Sequence, residues 1–137
     1  MFERDYIMKL LADLIQAIVK SMLQAEKEEN PYLAAQTLEA AIGNAVDMDA
    51  SVFMALSPDS MASIMSISHT DPRSTEYIAR SLALAADYNR KAGFDEIADL
   101  RQGQAEAVAA AFGHDLSDMD DDPQATMQAF LDREGCA

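Results

Sequence analysis

Residues 5–27, DYIMKLLADLIQAIVKSMLQAEK, constrain the fold more than any other stretch of the chain. Stepped around a helix at about 100° per residue, Lys9, Asp13, Gln16, Lys20 and Gln24 fall into one narrow polar strip. Ile7, Leu10, Leu11, Leu14, Ile15, Ile18, Val19, Met22 and Leu23 take most of the remaining circumference. An ordinary surface helix needs an apolar stripe of only about 100°. This arc is far wider, so it must be covered from two sides, by other helices or by a second copy of the chain. Ile7, Leu11, Ile15, Ile18 and Met22 are therefore the expected core or dimer face of the first helix.

A chain of 137 residues, half of them hydrophobic, is long enough to bury a core and reads as one domain, 1–137, with 135–137 as a frayed end. No apolar run approaches the length of about 18 residues that a bilayer demands. Met1-Phe2 gives way at once to Glu3, Arg4 and Asp5, unlike a secretory signal. The single cysteine, Cys136, excludes an internal disulfide, and the expectation is a reduced, cytoplasmic protein. A net charge of −14 argues against nucleic acid and against an anionic membrane surface, since both are bound through clustered Lys and Arg. Cationic partners are tolerated by that charge without being demanded by it.

Ala, Leu, Met, Glu and Gln dominate and β-branched alternation is missing, so every segment reads as helix. Asn30-Pro31 starts a second helix, about 31–46, in which Gly43-Asn44 weakens the last turn. Asp47 or Asp49 caps a short third helix carrying Val52, Phe53 and Leu56. Ser57-Pro58 starts a fourth, to about 67, with Met61, Ile64, Met65 and Ser68 on its buried face. After the break at 68–72, Tyr77, Ile78, Ser81, Leu82, Ala85 and Tyr88 mark the inner face of a fifth, closed by Ala92-Gly93. A sixth, from near Asp95 to Gly113, carries Ile97, Leu100, Ala105, Val108, Ala111 and Phe112, and Gly103 within it suggests close approach of another backbone. An acidic loop, 115–122, leads through Pro123 to a final helix with Met127, Phe130 and Leu131 on its apolar face. Short loops make successive helices antiparallel, so the expected fold is all-α: six or seven helices in stacked hairpins, a compact bundle or short solenoid.

Two resemblances accompany these patterns. The turns Asn30-Pro31-Tyr32-Leu33-Ala34-Ala35 and Ala92-Gly93-Phe94-Asp95-Glu96-Ile97-Ala98 each place an aromatic after the turn and small residues soon after. This is similar in style to tetratricopeptide hairpins, although Ile97 stands where that family has a small residue and no regular 34-residue period runs through the chain. The opening Phe2-Glu3-Arg4-Asp5-Tyr6-Ile7-Met8-Lys9-Leu10 resembles the start of a group of uncharacterised bacterial all-helical proteins beginning F-x-R-D-Y-I-x-x-L. That resemblance implies a helical fold and no particular chemistry.

Catalytic and cofactor signatures are missing. His69 and His114 are the only histidines, without HExxH or CxxC spacing, and serve as weak metal candidates only if their loops meet. Asp118, Asp120 and Asp122 have calcium-loop spacing, but Pro123 and Ala129 stand where Gly and Glu are required, and Asp47, Asp49 and Ser51 fail likewise at Val52 and Pro58. There is no nucleophile elbow, phosphate loop or dinucleotide fingerprint, and Glu39, Glu96 and Asp99 read as solvated carboxylates. Met48, Phe53, Met54, Met61 and Met65 lie on the two shortest helices. Met fills gaps in cores and also lines adaptable binding surfaces, so a partner-binding groove is expected there if anywhere. The sequence thus favours a non-enzymatic interaction or scaffold module, without cofactor, binding a protein, a peptide or a second copy of itself. The alternative is a small-molecule or metal site between hairpins, built from His69, Tyr77, Tyr88 and His114.

Overall fold

Punctuation by proline and by capping side chains sets most helix boundaries. The structure, a computed structural model, describes residues 2–68, 71–117, 128–129 and 131–132. Its helices are α1 (Phe2–Glu26), α2 (Pro31–Val46), α3 (Ala50–Phe53), α4 (Pro58–Ile67), α5 (Pro72–Lys91) and α6 (Asp95–Phe112), and no strand occurs among the described residues. Asn30, Ser57 and Asp71 each precede a proline at the first helical position, and each side chain accepts a backbone N–H of the first turn. At the other ends Gly93 (φ 93°) and Gly113 (φ 74°) supply the left-handed turns that release α5 and α6.

Helix α2 runs to Val46, the expected bound, with Gly43-Asn44 inside its last turns; Asp47 closes it in the left-handed conformation (φ 57°) while Asp49 caps α3. Gly43 is there for a packing reason. A Cβ at this position would lie 2.7 Å from Ala50 Cβ and 2.9 Å from Ala50 Cα, so α3 rests directly on the α2 backbone.

In space α2 lies against α1 and α5, and α5 lies against α2 and α6; α1 also touches α5. Helix α4 does not simply extend a sequential stack: it packs on α6, where a Cβ on Gly103 would approach the Pro58 ring to 3.1 Å. The close neighbour at Gly103 is therefore a proline side chain rather than another backbone.

The wide arc of α1 is met mainly from within the chain, by α2 and α5. Leu11, Leu14, Ile15, Ile18 and Met22 are fully buried, whereas Ile7, Leu10 and Val19 are half-buried and Leu23 is exposed. Gln24 departs from the expected solvent strip: it is buried, and its Oε1 accepts the Thr37 hydroxyl at 2.7 Å, fastening α1 to α2. Leu38 and Ile42 of α2, Ile78 and Leu82 of α5, Phe53, Met61, Met65 and Val108 complete the core. Each such side chain contributes about 1.5–3 kcal/mol by leaving water.

Helix α6 buries only part of the apolar set it carries. Its inner face is Ala98, Arg101, Gln104, Ala105, Val108 and Ala109, while Ile97 and Ala111 are exposed and Leu100 and Phe112 half-buried. The polar groups of Arg101 and Gln104 have buried partners, which the apolar pattern alone does not reveal. The acidic residues Asp118, Asp120 and Asp122, and most of the expected last helix, lie outside the described residues.

Candidate partner-binding groove

Among the described residues, the buried polar side chains of α6 build the most extensive hydrogen-bonded site. Arg101 Nη1 donates to the Met54 carbonyl at 2.7 Å and to Gln104 Oε1 at 3.1 Å. Gln104 Nε2 donates to the carbonyls of Met54 (3.0 Å) and Leu56 (2.8 Å). The Met54 carbonyl sits at the C-cap of α3, where a helix leaves backbone acceptors without intrahelical donors, and that of Leu56 lies in the turn leading to α4. Two side chains of α6 thus satisfy the termination of a helix about fifty positions earlier in sequence.

Arg101 Nε reaches outward to Glu39 Oε2 at 3.0 Å, and Asn89 Nδ2 donates to the same oxygen at 3.2 Å while also bonding the Ala85 carbonyl. The Arg101 side chain is 9% exposed and that of Glu39 23%, so the pair is largely withdrawn from water. Glu39 is therefore no solvated carboxylate; it joins α2, α5 and α6. Both of its hydrogen bonds fall on Oε2, and Oε1 accepts none from the described residues.

Above this pair lies a groove of about 430 Å³, lined by Gln36, Glu39 and Ala40 of α2, Ala50, Ser51, Met54 and Ala55 at α3, and Ile97, Leu100 and Arg101 of α6. One turn from its lining residues stand two exposed aromatics. Tyr32, 48% exposed, and Phe94, 43% exposed, have ring centroids 5.6 Å apart, and the Tyr32 hydroxyl accepts Gln36 Nε2 at 2.7 Å. Ile97, 41% exposed, continues the apolar surface from Phe94 into the groove. Beside the lining residues Ala50 and Ser51, Asp49 accepts the Ser51 hydroxyl (2.6 Å) and the Ser51 backbone N–H (2.9 Å), bonds that hold its carboxyl below the ordinary carboxylate value.

A second groove, of about 520 Å³, runs between α1 and α2 over Leu10, Leu14, Ala17, Ala41 and Ala45, with Asp13, Gln16, Lys20 and Asn44 on its rim. It is larger but has no comparable buried ion pair at its floor, and Asp13 is engaged by Lys9 at 3.1 Å on the surface.

Most of the residues singled out from sequence lie inside the molecule. Phe53, Met54, Met61 and Met65 are buried and Met48 is half-buried, so this stretch turns its methionines inward, and Met54 also borders the groove. Ile7, Leu11, Ile15, Ile18 and Met22 belong to or border the core of this chain. His114 Nε2 lies 2.7 Å from the Thr75 hydroxyl, joining the end of α6 to the start of α5. His69 lies outside the described residues. Tyr77 and Tyr88 are both buried on α5, about 16 Å apart along its axis, so their backbones stand at different levels of the helix. Among the described residues no three His, Cys, Asp or Glu side chains gather into a metal-sized cluster, and no helix is long and apolar enough to cross a membrane. Comparison of the chain with known protein families, curated proteins and solved structures gives no match.

Sequence reasoning missed Arg101, Gln104 and Asn89. A signal existed: Arg101 and Gln104 are three apart and share a face with Ala98, Ala105 and Val108, where a surface helix has no reason to place two long polar side chains.

Proposed function

We propose that the chain is a non-enzymatic interaction module that holds a segment of a partner protein in the groove between α2, α3 and α6. The observation carrying this reading is the continuity of the exposed Tyr32–Phe94 pair with a groove whose floor is the Arg101–Glu39 pair. Exposed apolar surface joined to a concavity is the usual mark of a binding face, and aromatics and arginine dominate binding energy at such faces. The few polar groups at the floor are fixed by helix–helix bonds, which favours orienting a ligand over turning it over chemically. Tetratricopeptide-style hairpin recognition belongs to the same reading, supported by the aromatic that follows each of the two turns.

Selection of random dodecapeptides displayed on phage against the full chain tests it. The expected result is an enriched peptide whose binding falls tenfold or more in Tyr32→Ala and in Phe94→Ala, both exposed positions whose replacement leaves the helical circular dichroism intact. Enrichment indifferent to both substitutions places binding elsewhere. Sedimentation at micromolar concentration separates a foreign partner from a second copy, which would appear as a dimer dissociated by the same substitutions.

A further inference from the structure

We infer that the segment taken by this groove is basic, and that a lysine or arginine side chain of the partner enters it to reach Glu39 Oε1. The inference rests on the groove being the binding face and adds the chemistry of its occupant. Glu39 turns one oxygen to Arg101 and Asn89 and leaves the other without a hydrogen bond from the described residues, although the side chain is only 23% exposed and lines the groove. A carboxylate oxygen so placed is matched by a donor that brings charge. Arg101 keeps its charge, but three of its N–H groups are already committed to Glu39, the Met54 carbonyl and Gln104, so they are not on offer to an anionic occupant.

The walls fit the rest of such a side chain. Ile97, Leu100 and Ala55 provide apolar surface along which a methylene stem lies while its head meets the carboxylate. Tyr32 and Phe94, half-exposed and one turn from the lining residues Gln36 and Ile97, add aromatic surface that suits a second cation. Arg101 is the only cationic residue in the lining, whereas Glu96 and Asp49 adjoin the lining residues Ile97 and Ala50 in sequence. An acidic segment would meet like charge on approach, and a purely apolar one would strand the Glu39 oxygen without a donor.

The test uses the peptides selected on the full chain. Enriched sequences are expected to share a Lys or Arg, and exchange of that residue for norleucine, which keeps the stem and removes the charge, should weaken binding tenfold or more. Glu39→Gln should weaken the parent peptide by a similar factor yet leave the norleucine peptide unaffected, because both changes remove one contact. If Glu39→Gln does not fold, the ligand-side exchange decides alone. A norleucine peptide that binds as well as its parent overturns the basic-segment inference. Should Tyr32→Ala and Phe94→Ala still weaken that peptide, the groove reading survives. If neither aromatic matters, or no peptide is enriched, both readings fall.

Discussion

Where α1 lies on α2 and α5, the buried side chains are Leu11, Leu14, Ile15, Ile18, Leu38, Ile42, Ile78 and Leu82, with Gln24–Thr37 as a polar tie at one end. Where α3 and α4 meet α6, the aliphatics thin out to Phe53, Met54, Met61, Met65 and small alanines, and Arg101 and Gln104 take over by bonding the carbonyls of Met54 and Leu56. The first region is held by area, which is nondirectional and tolerates a change of shape if volume is kept. The second is held by geometry: a four-residue helix cannot bury enough surface to stay put, so directional bonds fix it. This fixed corner forms one wall of the groove.

The harshest way to break the comparison is to put charge into the aliphatic region. Ile15→Asp strands a carboxylate in a position 2% exposed, at a cost of at least about 3–5 kcal/mol, comparable with the whole stability of a domain this size. The expected outcome is loss of cooperative melting by circular dichroism, whereas Ile15→Val costs only about 0.5–1.5 kcal/mol. A folded Ile15→Asp chain would mean that α1 is not packed as described.

Arg101→Leu attacks the polar corner. It leaves Glu39 without its cation and removes one donor to the Met54 carbonyl, so about 2–4 kcal/mol of destabilisation is expected by denaturant titration. Hydrogen exchange should locate the damage in the amides of α3, with α1 and α2 still protected. If α1 loses protection equally, the two regions are one cooperative unit and the distinction between them fails. Gly43→Ala follows, at about 1–3 kcal/mol, because the added methyl meets Ala50 Cα, which can yield only if α3 shifts. A melting point unchanged by Gly43→Ala would show that α3 floats and is not pinned to α2.

These contrasts also explain what the sequence makes legible. Helix existence and most caps are local events, so Asn30-Pro31, Ser57-Pro58, Asp71-Pro72 and Gly93 announce them in the chain itself. Burial along α1 is likewise periodic and readable. The groove is assembled from α2, α3 and α6, and its key bonds span roughly fifty to sixty residues, from Met54 to Gln104 and from Glu39 to Arg101. No local pattern carries such pairings. Ile97 misled in the same way: an apolar residue at helical spacing is expected inside, but the inner positions of α6 are taken by Arg101 and Gln104, leaving Ile97 to line the groove.

The smallest expected effect concerns Asp49, which holds α3 at its start while α6 holds its end. The Ser51 hydroxyl and then the Ser51 backbone N–H, both donating to the carboxylate, lower the pKa of Asp49 from its ordinary 3.8. A carboxyl whose folded pKa is depressed is bound by fewer protons in the folded state, so its stabilisation is complete above the unfolded value and fades as pH falls through the folded one. Asp49→Asn retains an acceptor for the cap but cannot ionise, and the wild-type advantage over it should be small at neutral pH and vanish in acid, below the usual carboxylate range. Asp115, lowered in the same direction by the Ser117 backbone N–H, titrates in both proteins and cancels in the difference. Denaturant titrations of the two proteins across the acid range supply the measurement. An advantage that grows as pH falls would reverse the sign and show that the charged form of Asp49 opposes folding of α3.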